Sequence, residues 1–129
     1  MVSELRAQRI ADRIFEELSV LLIMEVADPR LGSVSITGVR VDRELAFANI
    51  YVSSIEGSEV SDDILDGLRH AGGFLRHELS QRIHLRYFPK LRFYWDPMPE
   101  RADHIDKLLA SLPESDDLTQ SEDEVGLDE

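Results

Sequence analysis

The fold is decided by residues 61–95, SDDILDGLRHAGGFLRHELSQRIHLRYFPKLRFYW. Apolar residues recur there at helical spacing in two groups, first Ile64, Leu65 and Leu68, then Phe74, Leu75, Leu79 and Ile83. The two groups are separated by Ala71-Gly72-Gly73, and a glycine inside a helix costs ~1 kcal/mol relative to alanine. The stretch therefore predicts two helices with a break or a kink between them.

Upstream of this stretch, the sequence predicts a long helix followed by a turn. Residues 3–26 have apolar side chains at a period close to 3.6, and Ser3 is a suitable N-cap. Pro29 disfavours helix at the residue before it, and Gly32 follows three residues later. We therefore expect the helix to end before a turn at residues 28–32.

Three strands are predicted by alternating apolar residues. Residues 34–41 and 45–53 form a hairpin, and a change of phase at Gly38 predicts a β-bulge. The third strand follows Pro89 and has Leu91, Phe93 and Trp95 on its apolar side. A short further helix is predicted over residues 103–112. The order α-β-β-α-α-β suits an α+β sandwich, with the helices on one face of a three-stranded sheet.

Charge is unevenly distributed along this chain, whose net charge is −12. Residues 114–129 hold eight acids and no base, and residues 56–66 hold five acids and no base. Residues 69–92 hold six bases and one acid. We therefore expect one folded domain over residues 1–112 and an acidic disordered tail over residues 113–129. The basic segment, residues 69–92, is the candidate surface for a polyanionic partner, because the distribution of charge along a chain indicates its partners even where the net charge does not.

The basic segment fits two interpretations. Phosphate neutralisation needs Lys and Arg gathered on one surface. A solvated helix face, whose charges pair with the acids of residues 56–66, has the same composition. We favour the first, because the segment spans a helix, a loop and a strand. The candidate RNA-binding residues are Arg6, Arg9, Arg69, Arg76, Arg82, Arg86 and Lys90. The sequence leaves open whether Arg6 and Arg9 share one face with the others.

The motif Ala71-Gly72-Gly73 also has two interpretations. Small residues at the start of a helix let a phosphate approach exposed N–H groups at the positive end of the helix dipole. The alternative is a kink that only sets the angle between two helices, and the glycines alone favour it. Among the strand aromatics, Tyr94 is the one we expect to be exposed for stacking on bases.

No motif for an enzyme, a metal site or a membrane span occurs in the sequence. There is no phosphate-binding glycine loop, nucleophile elbow or His-Glu-x-x-His. Cysteine is absent, and His70, His77 and His84 would lie ~10.5 Å apart on a continuous helix, too far for one metal ion. No apolar run approaches the ~18 residues of a membrane span, and no signal peptide is evident. We expect a cytoplasmic protein with no cofactor, metal or small-molecule substrate.

Several motifs, in order along the chain, resemble the bacterial ribosome-binding factor A family. They are Arg6-x-x-Arg9, Asp28-Pro29-Arg30-Leu31-Gly32, Ile36-Thr37-Gly38-Val39-x-Val41, Asn49-Ile50-Tyr51-Val52, Ala71-Gly72-Gly73-Phe74-Leu75-Arg76 and Leu85-Arg86-x-x-Pro89-x-Leu91-x-Phe93. Together they cover about residues 5–112. The resemblance implies a type II KH-like domain. In that family an Ala-x-Gly helix kink, here Ala71-Gly72-Gly73, replaces the Gly-x-x-Gly loop of ordinary KH domains.

The resemblance also implies a function. It implies binding to the free 30S ribosomal subunit, action late in 30S maturation, help with processing of the 5′ end of 16S rRNA, and a role in cold adaptation. The leading hypothesis is a monomeric 30S assembly factor that binds 16S rRNA and has no catalytic residue. The alternative is a KH-like protein-interaction module that acts through residues 56–66 and the acidic tail. A third hypothesis is a ribonuclease.

Overall fold

The computed structural model of the chain describes residues 1–24 and 26–111. Its helices and strands are α1 (Glu4–Met24), β1 (Val34–Val41), β2 (Phe47–Ser54), α2 (Ser61–Arg82), β3 (Lys90–Trp95) and α3 (Met98–Ala110), with 3-10 turns at Pro29–Leu31 and Ser58–Val60. The contacts divide the chain into two units, Met1–Pro97 and Met98–Glu129. The predicted acidic tail, residues 113–129, lies outside the described residues.

The two helices predicted around Ala71-Gly72-Gly73 are a single helix, α2, so this part of the prediction is wrong. The two glycines together cost about 2 kcal/mol relative to alanine. The helical turns on either side of the glycines carry Leu68, Leu75 and Leu79, which are completely buried in the core. Burying each of these side chains contributes about 1.5–3 kcal/mol to stability. Packing on both sides of the glycines therefore outweighs their intrinsic preference. The first unit has the order α-β-β-α-β, and α3 follows it.

The ends of the other helices agree partly with the sequence. The Arg6 N–H donates to Ser3 Oγ at 3.0 Å, which confirms Ser3 as the cap of α1. The last helix begins at Met98, five residues before the predicted start at residue 103. Pro99 is in its first turn, where a proline is tolerated because the missing N–H has no intrahelical partner.

The strands form one sheet in the order β1-β2-β3. β1 and β2 pair antiparallel, which confirms the hairpin, and α2 connects β2 to its parallel neighbour β3. The register shifts between Ile36 and Gly38, as the predicted bulge requires. β2 begins at Phe47 rather than at residue 45, because Leu45 has a φ of 58° and belongs to the turn.

Both helices of the first unit pack on one face of the sheet, which confirms the predicted two-layer arrangement. The core residues with the largest fully buried side chains are Ile14, Leu18, Leu21, Ile50, Val52, Ile64, Leu68, Leu75 and Leu79. Strand side chains alternate between the two faces, so the residues between the core positions lie on the opposite face. We name this the open face; by register it comprises Arg40, Phe47, Asn49, Tyr51, Lys90, Arg92 and Tyr94.

The turn at residues 28–32 packs against α2 at Gly67. Asp28 Oδ1 accepts the Arg30 N–H at 2.9 Å, and Asp28 Oδ2 lies 2.8 Å from Arg30 Nη2. The hydrogen bonds from the Arg30 side chain and, to a smaller extent, from its main-chain N–H lower the pKa of Asp28. A Cβ added to Gly67 would lie 3.1 Å from Leu31 Cδ2 and 3.3 Å from Asp28 Oδ2. Close packing of the turn on the helix therefore favours glycine here.

Candidate nucleic-acid interface

Two of the predicted RNA-binding arginines, Arg69 and Arg76, lie seven residues apart on the side of α2 that faces β3. Arg69 Nη2 donates to the carbonyl of Phe93 at 3.4 Å. Arg76 Nε donates to the carbonyl of Pro89 at 3.1 Å, and its Nη2 donates to the carbonyl of Phe88 at 2.5 Å. We name this pair the anchoring arginines, because their guanidinium groups hold β3 and the segment before it against the helix.

Gly72 and Gly73 lie between the anchoring arginines along α2. A Cβ added to either glycine would meet no atom within 4 Å among the described residues. No neighbouring side chain therefore requires glycine at these two positions. We name the helix backbone at Gly72 and Gly73, which carries no side chain, the bare strip. The helix does not restart there, so no helix N-terminus is available to cradle a phosphate, and that interpretation is wrong. The interpretation of Ala71-Gly72-Gly73 as a kink stays a prediction.

Arg82 lies where α2 meets α1. Its Nη1 is 2.8 Å from Glu78 Oε1, and its Nε is 3.7 Å from Glu17 Oε1. The Arg82 carbonyl also accepts a 3.1 Å hydrogen bond from Arg13 Nη2. Arg82 is thus part of an ion cluster that joins the two helices.

Arg6 and Arg9 are both exposed on α1. They share a stripe with Arg13, because the three follow i, i+3, i+7 spacing. Arg13 reaches the carbonyl of Arg82, so this stripe lies on the side of α1 that faces α2. Neither guanidinium group has an acidic or carbonyl partner within residues 1–24 and 26–111.

The last two predicted residues lie on different surfaces. Arg86 is exposed in the loop between α2 and β3, with its Cζ 5.7 Å from the centre of the exposed Tyr87 ring. Lys90 is exposed at the start of β3 and pairs in register with Phe47, which places it on the open face. The seven predicted residues therefore divide between the helix side, the α2–β3 loop and the open face of the sheet.

The open face holds two bases, Arg40 and Arg92, that were not among the predicted site residues. They flank Asn49 in the register of the sheet. Arg92 Nε donates to Asn49 Oδ1 at 3.0 Å, and Arg92 Cζ lies 3.8 Å from the centre of the Phe47 ring. The alternation that identified the apolar side of each strand also identifies its polar side, so applying it to both sides would have found this group.

Two tyrosines lie next to these bases on the open face. Tyr51 and Tyr94 pair in register, and their ring centres are 5.6 Å apart with an angle of 28° between the planes. Tyr94 is 39% exposed, which confirms the expectation that it is accessible. The open face therefore combines aromatic rings with positive charge.

The described residues show neither a metal site nor a membrane-spanning helix. Within the described residues no group of three or more His, Asp or Glu side chains is arranged to hold a metal ion. His70 Nδ1 lies 3.0 Å from the carbonyl of Asp66, one helical turn earlier. In the same part of the chain, no helix has the length and apolar character needed to cross a membrane.

Comparison with known proteins gives consistent matches. The family model described as Ribosome-binding factor A matches residues 6–109. Ribosome-binding factor A of Aromatoleum aromaticum is 36% identical over 118 residues, which make up 92% of this chain and 93% of that protein. The crystal structure of ribosome-binding factor A from Thermus thermophilus has a TM-score of 0.60 at 24% identity, covering 68% of this chain and 93% of that one.

A second set of coordinates has the same fold. It is a homology model of the Thermus thermophilus ribosome-binding factor A, fitted into a cryo-electron-microscopy map of a complex with the 30S subunit. It matches with a TM-score of 0.52 at 23% identity, and the match covers 71% of this chain and 92% of that one. The family model spans most of the chain, and the α+β fold agrees with both structures. The chain belongs to the ribosome-binding factor A family.

Proposed function

We propose that this protein is a ribosome assembly factor that binds the free 30S subunit through 16S rRNA. It assists late 30S maturation, including processing of the 5′ end of 16S rRNA, and it works as a monomer in the cytoplasm. The observation that carries the proposal is the family match over residues 6–109. A related fold from Thermus thermophilus that is fitted into a 30S complex supports it.

The protein acts by binding rather than by catalysis. A factor that binds one rRNA conformation more tightly than another shifts the population toward the first. The size of the shift is set by the difference between the two affinities, so the shape of the contact surface matters as well as its charge. No catalytic residue and no cofactor is needed for this action.

We rank the proposed RNA contacts by their exposure and by the partners of their charged groups. Arg6, Arg9 and Arg86 come first, because they are exposed and their guanidinium groups have no acidic or carbonyl partner among the described residues. Arg82 is paired with acids in the ion cluster, so it attracts phosphates through its positive charge at a distance rather than by direct contact. The anchoring arginines flank the bare strip, where an RNA backbone has close access to α2. Lys90 belongs to the open face.

Co-sedimentation of the full chain with purified 30S, 50S and 70S particles tests the proposal. We expect binding to 30S only, with an affinity that falls steeply as salt rises, because phosphate contacts release counterions. Binding to 50S or 70S that is as strong as binding to 30S would contradict the proposal. An affinity insensitive to salt would contradict it as well.

Charge reversal tests the proposed contacts. Arg86→Glu should weaken 30S binding roughly tenfold, since it replaces one attraction to phosphate by a repulsion. Arg101→Glu, at an exposed arginine of α3, is the matched control and should change binding little. If 30S association survives the triple change Arg6→Glu, Arg9→Glu and Arg86→Glu, the basic-surface account is wrong. That result would favour a protein-interaction module that uses residues 56–66.

A further inference from the structure

We propose that the open face of the sheet is a second RNA-binding surface, on which unpaired bases stack while nearby lysine and arginine side chains hold the phosphates. The choice of RNA as the partner rests on the proposed function. The location does not, because it follows from the register of the three strands and the contacts on their uncovered side.

The aromatic part of this surface consists of Tyr51, Tyr94 and Phe47. The two tyrosine rings lie on adjacent strands with their centres 5.6 Å apart and their planes inclined by 28°, so they stack on one another, and Tyr94, the more exposed of the two, offers the stacking position to a base. Tyr94 is 39% exposed and Tyr51 is half-buried. Exposed aromatic rings on a sheet provide stacking positions for bases, and such stacking tolerates any base because every base has a π-face.

Arg92 extends this surface beyond the tyrosines. Its guanidinium group lies over the Phe47 ring at 3.8 Å, and Asn49 accepts its Nε–H at 3.0 Å. Guanidinium planes stack on bases as aromatic rings do. Because Phe47 and Asn49 already hold Arg92 in place, less side-chain entropy is lost when a ligand binds.

The charge of the open face complements a polyanion. Its strands contribute three bases, Arg40, Lys90 and Arg92, all exposed. Two acids adjoin this face. Asp96 follows β3 and is half-buried, and its Oδ2 accepts the Thr37 hydroxyl at 2.6 Å. Asp42 follows β1 opposite Phe47, and its Oδ1 accepts the Phe47 N–H at 2.9 Å. Three positive charges and two negative charges give +1 on this face of a chain whose net charge is −12. Residues two apart on a strand are ~7 Å apart, so each base lies within one or two such steps of the tyrosines.

The rings favour RNA over an acidic protein segment. Three positive charges would serve either ligand, whereas aligned rings beside them match a nucleotide, which presents a flat base together with a phosphate. The same feature favours single strands, because the bases of a duplex are already stacked on one another. The occupant we assign is therefore an unpaired stretch of RNA.

The test uses the full chain and a fluorescein-labelled ten-nucleotide oligouridine, with a ten-base-pair RNA duplex for comparison. Tyr94→Leu should weaken binding of the single strand roughly 5- to 150-fold, the range expected for loss of one stacked base. Lys90→Gln should lower the slope of log affinity against log salt by ~1, because it removes one phosphate contact. Phe15→Leu is the matched control: Phe15 is 37% exposed but lies on α1, so its loss should leave binding unchanged.

Each other outcome overturns the proposal. Wild-type affinity in Tyr94→Leu would show that no base stacks there, provided that urea unfolding shows the variant to be folded. Equal binding of duplex and single strand would exclude stacking as the basis of selection. Displacement of the RNA by a ten-residue poly-glutamate at equal concentration would identify a general anion surface. NMR gives an independent readout: the Tyr51 and Tyr94 ring signals should move upfield with oligouridine, and unmoved signals would count against the proposal.

This test and the test of the proposed function fail separately. If the wild-type protein ignores 30S subunits but binds oligouridine through Tyr94, the assembly function is wrong and the open-face surface stands. If 30S binding is normal and Tyr94→Leu binds oligouridine as the wild type does, only the open-face surface is wrong.

Discussion

The helix side of the molecule and the open face of its sheet use arginine in opposite ways. On the helix side, Arg76 gives two hydrogen bonds to main-chain carbonyls, and Arg82 pairs with Glu78 and Glu17. On the open face, Arg92 is positioned by an aromatic ring and one amide oxygen. The first group holds elements of the protein together, whereas the second is positioned toward a ligand. A basic run in a sequence is therefore not the same thing as a basic surface.

The largest effect we expect is on stability, from Arg76→Met. The change leaves the carbonyls of two buried residues, Phe88 and Pro89, without their charged donor. Hydrogen bonds to charged groups are worth about 1.5–3 kcal/mol each, or about 3–6 kcal/mol for the two. Because Arg76 is exposed and water can replace part of this stabilisation, the free energy of unfolding should fall by about 2–4 kcal/mol in urea denaturation. Arg86→Met is the control and should stay within about 0.5 kcal/mol of wild type. Equal stability of the two variants would remove the distinction between the anchoring arginines and arginines without a main-chain partner.

A second comparison is contained within α2 itself. Gly72→Ala should raise the free energy of unfolding by about 0.5–1 kcal/mol, because alanine favours helix and its Cβ would lie in open space. Gly67→Ala should be less stable than Gly72→Ala by about 1 kcal/mol, because its Cβ would crowd Leu31 and Asp28. If Gly67→Ala is the more stable variant in urea, the turn at residues 28–32 does not require the close approach.

Gly72→Ala also tests whether RNA approaches the bare strip. If RNA approaches the backbone between the anchoring arginines, the alanine variant should be more stable yet bind 30S more weakly. Unchanged 30S binding in co-sedimentation would confine the glycines to a structural role.

A smaller effect is expected from the ion cluster around Arg82. Its partners are partly exposed, and pairs of this kind contribute about 0.2–1 kcal/mol. Arg82→Met should therefore destabilise the protein by less than about 1 kcal/mol, and the difference should shrink in 1 M salt as charges are screened. A salt-independent loss would show that packing of the side chain dominates instead.

The smallest effect concerns pH and Asp28. Its pKa is lowered in the folded protein by the hydrogen bonds from Arg30. The ionised Asp28 therefore stabilises the folded state fully at pH values above its unfolded pKa of about 3.9. That stabilisation is lost as the pH falls through the lower pKa of the folded state. In Asp28→Asn, which keeps a capping oxygen but loses the charge, stability should depend less on pH in this acidic range. Identical acid-unfolding curves for variant and wild type would contradict this.

Local patterns predicted the three strands, the bulge and the cap of α1, and long-range contacts account for the continuity of α2 that they missed. The bulge at Gly38 and the cap at Ser3 depend on neighbouring residues, so the sequence contains them. The continuity of α2 depends on burial of side chains on both sides of the glycines, which local propensity does not include.

The candidate site shows the same limit. The bond between Arg76 and Phe88 joins residues twelve apart, and the contact between Arg92 and Phe47 spans two strands. Composition identified the basic segment, but only the contacts in the fold separate the arginines that bind main-chain carbonyls or acids from those that do not.

We propose that position in the fold, rather than charge in the sequence, divides these arginines between structure and RNA binding. The most direct test measures 30S affinity and the free energy of unfolding on the same two variants, Arg76→Met and Arg86→Glu. We expect Arg86→Glu to lose roughly tenfold in 30S affinity at unchanged stability. We expect Arg76→Met to lose stability while its folded fraction binds 30S within about twofold of wild type. The reverse pattern, a stable Arg76→Met that no longer binds and an Arg86→Glu that binds normally, would contradict the claim.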